Sequence, residues 1–128
     1  MPNTIHDIGV ARQIGTYGDA IEVAPNARWL FTAGTPGMLA DGTLPPDITG
    51  QAEIAWTHIR GLLARAGMDL HDLIKVTQYL RHAADIPAYA KVRARVLGDV
   101  RPASMLLAGP ELVRPGFLLE IEAVAARA

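Results

Sequence analysis

Two glutamates stand two residues apart in an otherwise apolar run, Phe117-Leu-Leu-Glu-Ile-Glu-Ala-Val-Ala125, close to the end of this chain. Read as a β-strand, alternate residues share a face. Leu119, Ile121 and Ala123 then point one way, and Leu118, Glu120, Glu122 and Val124 the other. A carboxylate is costly to bury alone, so each must meet water, a hydrogen-bond donor or a cation. A wetted sheet face would satisfy both. Glu120 is the stronger candidate for chemistry, because it lies mid-strand on a face that association between copies would cover. Tyr17, in Ile14-Gly-Thr-Tyr-Gly18, is a loop aromatic flanked by glycines that permit close backbone approach; the plainer reading is a turn residue. Gly34 follows an apolar stretch and could offer its N–H to an anion or simply turn the chain.

Arginines decide whether anionic ligands are plausible, since the guanidinium fork holds a carboxylate through two hydrogen bonds. Arg28, Arg101 and Arg114 all sit at predicted strand ends, where a solvated edge charge is the commoner role. Arg114 lies six residues before Glu120, close enough to reach a cleft at that strand's entrance.

Other chemistries find little support. There is no cysteine, which excludes disulfides, thiolate nucleophiles and Cys-ligated zinc. His6, His58, His71 and His82 lack metal-helix spacing and read as surface or capping residues, with His58 on the exposed flank of a helix. Ser104 is the only serine and has no G-x-S-x-G turn around it. No G-x-G-x-x-G or P-loop supports a nucleotide, so neither a cofactor nor a metal is expected.

The elements that must position these residues follow from periodicity. Apolar residues at three- and four-residue steps predict a helix from about Asp47 to Ala66, with Asp47 as N-cap, Gly67 left-handed and Met68 folding back. A second helix runs from Asp85 to Gly98, with Pro87 in its first turn and an apolar stripe of Ile86, Tyr89, Val92 and Val96. Strands are expected at Ala20–Val23, Arg28–Ala33, Ile74–Leu80, Ser104–Ala108 and Leu118–Ala125. The order ββαβαββ predicts one α+β domain, residues 1–128, with a mixed sheet and both helices on one face. Two helices cover one side only. Several strands carry apolar residues on both faces, Leu30 opposite Trp29, and Leu118 and Val124 opposite Leu119 and Ile121, so an apolar face is left over, which predicts a closed homo-oligomer.

Composition narrows the class further. Half of the 128 residues are hydrophobic, the formal net charge is −1, and the 12 Lys and Arg are scattered, densest at Arg93 and Arg95 on the second helix. That argues against nucleic acid as a partner. No apolar run approaches the ~20 residues of a membrane helix, and no secretory signal is evident, so neither a membrane nor secretion is expected and a cytoplasmic location is.

Taken together, Gly15-Thr-Tyr-Gly18, Phe31-Thr-Ala-Gly34, Arg101-Pro-Ala-Ser104 and Leu119-Glu-Ile-Glu-Ala-Val-Ala125 resemble the YjgF/RidA/L-PSP family over nearly the whole chain. The resemblance implies a chorismate-mutase-like fold assembled as a homotrimer, with three clefts between subunits. It also implies a cofactor-free enzyme hydrolysing reactive enamines or imines, such as 2-aminoacrylate, to keto acids and ammonia. Tyr17 matches the family's loop tyrosine, Gly34 the glycine after the second strand, and Glu120 the glutamate that positions water. The departures are concentrated in the cleft. Ser104 replaces the arginine that grips the substrate carboxylate in the deaminase branch. Ala33 stands for a serine, Leu106 for a cysteine, and the second helix's asparagine aligns near Ala90.

Loss of a desolvated bidentate contact costs about 2–5 kcal/mol, or roughly thirty-fold to several thousand-fold in affinity. Deamination of 2-aminoacrylate should therefore be weak unless Arg114 or another arginine substitutes. Two readings of this arginine-less chain follow. One is an enzyme deaminating or tautomerising another small enamine, imine or unsaturated acid, with Glu120 handling water, Tyr17 closing the cleft and Arg114 or the Gly34 N–H holding an oxyanion. The alternative is a non-catalytic module that binds a metabolite in a cleft made more apolar by Ala33, Ser104 and Leu106. The ribonuclease activity in the family's older name fits poorly with near-neutral charge and no paired histidines.

Overall fold

Helix punctuation follows the sequence closely in the computed structural model, which describes residues 2–128. The long helix, α2 (Ile48–Arg65), starts at Asp47, whose Oδ1 accepts from the Gly50 N–H at 2.6 Å. It ends in a Schellman motif: the Met68 and Gly67 N–H groups donate to the Leu63 and Ala64 carbonyls, with Gly67 at φ +69°. Met68 folds back into the core. The later helix, α3 (Ile86–Leu97), carries Pro87 in its first turn and stops at Gly98, φ +57°.

The strands are β1 (Thr4–His6), β2 (Ala20–Glu22), β3 (Arg28–Phe31), β4 (Thr35–Pro36), β5 (Leu73–Leu80), β6 (Ala103–Ala108) and β7 (Leu119–Arg127). A one-turn helix, α1 (Ala11–Ile14), follows β1. β1 and β2 form a separate antiparallel ribbon. The main sheet runs β3-β7-β5-β6, with β4 also on β7. β7 pairs antiparallel with β3, β4 and β5, while β5 and β6 run parallel across α3. The expected α+β mixed sheet is present. The departures are β1, α1 and β4, three short elements whose few residues carry too little periodicity to be read.

Register explains the two sheet faces. Leu119, Ile121, Ala123 and Ala125 of β7 lie with Val76, Gln78 and Leu80 of β5 under the helices, all buried. They meet Ala52, Ala55, Trp56, Ile59 and Leu63 of α2 and Tyr89, Val92 and Leu97 of α3 in one core cluster. Each large apolar side chain buried there contributes about 1.5–3 kcal/mol. The opposite face stays open. Trp29 and Phe31 stack there with ring centroids 6.0 Å apart, and Phe31 is 69% exposed. Met105 and Leu107 are also exposed.

Candidate functional site

Under the helices, a cleft of about 630 Å3 opens between α3, β6 and the loop after α1. Tyr17, Ser104 and Leu106 line it, with Ala90 and Arg93 of α3. The loop is clamped onto the start of β6. The Gly18 N–H donates to the Pro102 carbonyl at 3.0 Å, and Gly18 bridges Ala103. A Cβ at Gly18 would stand 2.9 Å from the Arg101 carbonyl oxygen, so only glycine allows this approach. The sequence pieces around Tyr17 and Arg101-Pro-Ala-Ser104 thus build one wall together. On its other flank the loop is held by Asp19, whose carboxylate accepts from the Ile8 and Ala11 N–H groups, both at 2.9 Å. Those bonds, the one from Ile8 foremost, lower the Asp19 pKa.

Ser104 is held from beneath by a buried polar chain. Gln78 Nε2 donates to the Met105 carbonyl and to Ser104 Oγ, both at 2.9 Å. A carbonyl only accepts, so the amide orientation is set, and Gln78 Oε1 receives the Tyr89 hydroxyl at 2.7 Å. Gln78 and Tyr89 are both fully buried, and burial pushes the Tyr89 pKa up, so its hydroxyl remains a donor. Ser104 Oγ therefore accepts from below and keeps its own proton to donate into the cleft.

Arg93 is the residue that sequence reading passed over. It is 8% exposed, its Nη2 donates to the Thr16 carbonyl at 3.3 Å, and its guanidinium carbon lies 5.7 Å from the Tyr17 ring centroid. A signal was available, since Arg93 follows Ile86 by seven residues and Tyr89 by four, on the helix's apolar stripe. Burial lowers its pKa, with Tyr89 and Tyr17 opposing that shift.

Glu120 lies on the other side of the sheet. It pairs in register with Tyr79 of β5 and Pro36 of β4 and is half-buried. Beside it the β3–β4 edge bulges: Phe31 pairs with Val124 and Thr35 with Ile121, so three residues oppose two. Thr32 Oγ1 fills the gap, accepting from the Ala123 N–H at 2.9 Å and donating to the Ala33 carbonyl at 2.9 Å. This ends the expected strand two residues early and lifts Ala33 and Gly34 out beside Glu120. A Cβ on Gly34 would lie 2.7 Å from Glu120 Oε1. Within one chain, then, Gly34 lies beside Glu120 on one side of the sheet, Ala33 is exposed on the bulge, and Tyr17, Ser104 and Leu106 line the cleft on the other side.

The remaining candidates have structural partners. Arg114 is exposed, its guanidinium over the Phe117 ring at 5.8 Å and its Nη1 3.5 Å from Met38 Sδ, on the loop entering β7. Arg28 binds the Ala66 carbonyl and Arg101 the Gly98 carbonyl, so both cap helix ends. His58 is less exposed than its helix flank implied, because its Nε2 lies 2.7 Å from the Met38 carbonyl oxygen. His71 borders a separate hollow of about 480 Å3 near the C-terminal ends of α2 and α3, which contains none of the candidate residues. No group of three or more His, Cys, Asp or Glu among the described residues is arranged to hold a metal. No helix among them is long and apolar enough to cross a membrane.

The family model described as endoribonuclease L-PSP matches residues 10–127. The chain belongs to this family. A RutC family protein of Pyrococcus horikoshii is 31% identical over 131 residues, covering 98% of each chain. TdcF of Escherichia coli, provisionally named a reactive intermediate deaminase, is 24% identical over 123 residues, covering 94% of this chain and 95% of TdcF. Its crystal structure, determined with bound serine, superposes on this L-PSP family chain with a TM-score of 0.74 over 90% of this chain and 91% of TdcF. The crystal structure of YyfB from Yersinia pestis, a protein of unknown function of the conserved Rid family, reaches a TM-score of 0.85 at 24% identity, covering 99% of this chain and 100% of YyfB.

Proposed function

We propose that this L-PSP family chain is a cofactor-free enzyme for reactive enamines or imines, working in clefts between the subunits of a homotrimer. The observation that carries the proposal is the division of the site across the sheet. Tyr17 and Ser104 line a cleft under the helices, while Glu120 and Gly34 sit on the exposed face. Association that covers Trp29, Phe31, Met105 and Leu107 would bring the Glu120 side of one protomer against the cleft of the next. The provisional name of TdcF and the serine in its crystal structure support a small amino-acid-derived substrate.

The reaction is a hydrolysis. The enamine first tautomerises to its imine, and water then adds to the C=N carbon. Glu120 accepts a proton from that water as the C–O bond forms. That proton passes to nitrogen to give a carbinolamine; its hydroxyl proton then moves by way of Glu120 to nitrogen as the C–N bond breaks and the C=O bond forms, so that ammonia and a keto acid leave. Tyr17 walls the cleft, and Ser104 donates one neutral hydrogen bond where the deaminase branch has an arginine. The preferred substrate is therefore other than 2-aminoacrylate, and the reading places the protein in the cytoplasm with its metabolite pool.

The test is ammonia release from 2-aminoacrylate and from longer 2-imino acids generated in situ, with wild type beside Glu120→Gln. Loss of the protein-dependent rate by about 10²–10⁴-fold is expected in the variant. An undiminished rate in folded Glu120→Gln would rule the mechanism out. The second reading, a metabolite-binding module, is favoured by the apolar Ala33 and Leu106; it predicts saturable binding of 2-keto acids with no turnover of any imine.

A further inference from the structure

We infer that Arg93 has taken over anion binding in the cleft, and that the ligand is a small monocarboxylate with an apolar side group, held from the helix wall. The inference rests on reading this cleft as the ligand site.

Three observations lead to it. Arg93 is more than nine-tenths buried, yet its Nε has no hydrogen-bond partner and no carboxylate among the described residues forms an ion pair with it. Its one hydrogen bond among the described residues, to the Thr16 carbonyl, is long at 3.3 Å. A guanidinium desolvated this far and this poorly paired is costly unless a counter-charge completes it. Second, the cleft wall carries two cations, Arg93 and Lys91, and no carboxylate, so its field favours an anion. Third, Ser104 lines the same cleft opposite α3 with a hydroxyl proton free to donate. One carboxylate can take both the guanidinium and the hydroxyl.

The rest of the wall describes what that carboxylate is attached to. Ile14, Ile86, Ala90 and Leu106 are apolar, and the small Ala90 and Ser104 leave room between helix and strand. The cleft therefore suits an aliphatic group of several carbons better than the bare methylene of 2-aminoacrylate. Arg114 is the competing cation. It is exposed on a loop and engaged with Met38 and Phe117, which is why the inference falls on Arg93.

Calorimetric titration with 4-methyl-2-oxopentanoate and with its neutral primary amide tests this in the wild-type protein, without turnover. The acid should bind, and the amide should bind at least about thirty-fold more weakly, the low end of a lost desolvated charge contact. Arg93→Gln should weaken the acid by a similar factor and leave the amide unchanged. Arg93→Lys should recover only part of the loss, because an ammonium lacks the planar fork. Equal binding of acid and amide, no binding of the acid, or full affinity in folded Arg93→Gln would each overturn the inference. So would dependence on Arg114 in place of Arg93. If Arg93→Gln does not fold, Arg93→Lys and Arg114→Gln decide with the wild-type acid-to-amide ratio: weakened acid binding in the first and full affinity in the second support Arg93, and the reverse overturns it. The outcome is separable from the catalytic reading: Arg93-dependent binding with no ammonia release would sink the deaminase and leave this assignment standing.

Discussion

The two halves of the site are built differently. The Ser104 half is braced from below by the Tyr89–Gln78–Ser104 chain, whose first two side chains are fully buried, and it is clamped laterally by Gly18 on Pro102. Its geometry is settled within one chain. The Glu120 half sits on an open sheet face beside a bulge, with exposed Trp29 and Phe31 on the same face and a half-buried carboxylate that fills the space a side chain at Gly34 would need. Such a half needs a neighbour to give its carboxylate a fixed target. The difference predicts where tolerance lies: changes in the first half should act through the fold, and changes in the second through turnover under the proposed chemistry.

The largest effect comes from separating the halves onto different chains. Tyr17→Ala damages the cleft half and Glu120→Gln the sheet half, so each homo-oligomer should be nearly inactive. Unfolded and refolded together in equal amounts, about a quarter of the sites should pair an intact cleft with an intact glutamate, whatever the closed symmetry. Ammonia release should rise to about that fraction of wild type. If mixed oligomers form and no activity returns, the two halves do not meet across subunits.

Gln78→Leu should break the braced half. The buried Tyr89 hydroxyl loses its acceptor, at about 1–3 kcal/mol for an orphaned group, and the part-buried Met105 carbonyl loses a donor. Thermal or urea unfolding should show that loss, while the Glu120 side of the sheet keeps its register. A variant as stable as wild type would mean that the buried chain does not brace Ser104.

Gly34→Ala makes the converse case. The new Cβ meets only the far end of Glu120, and Gly34 has no positive φ to forbid alanine. The carboxylate swings aside at little cost, so stability should change by less than about 0.5 kcal/mol. Turnover should still fall, by up to about 10²-fold for a misplacement near 1 Å. Gly37→Ala is the control for contrast, since its Cβ would collide with the Gln51 backbone and should damage the fold itself. A loss of stability in Gly34→Ala equal to that in Gly37→Ala would mean that Gly34 serves the fold and not the placement of Glu120.

Long-range periodicity made most of the fold legible. Asp47, Gly67, Met68, Pro87 and Gly98 punctuate α2 and α3 as expected because caps are local chemistry, and the alternation in Leu119–Ala123 told the buried face from the open one. The β3–β4 bulge was not legible. It depends on Thr32 Oγ1 replacing a backbone acceptor for Ala123, a contact between residues 91 apart in sequence. Arg93 was missed for another reason. Its place on the apolar stripe of α3 was visible, but a charge there is ordinarily a side chain reaching round to solvent, and only the packing of Tyr17 and Thr16 against it shows otherwise.

The smallest effect probes the softest edge of the braced half. Asp19 ties Ile8 and Ala11 to the loop that carries Tyr17, and those bonds hold its pKa below the ordinary carboxylate range. A carboxylate depressed by folding stabilises fully above its unfolded pKa, about 3.9, and loses that contribution as pH falls through the lower folded value. Between pH 5 and 7 nothing should change. Below about pH 4, amide protection at Ile8 and Ala11 should fade before that of the β5–β7 core, and the Tyr17 resonances should shift with it. Asp19→Asn should lower that protection at neutral pH and abolish the acid transition in this segment. Protection that fades in the core at the same pH would mean that Asp19 is no separate latch and that the Tyr17 loop melts only with the whole sheet.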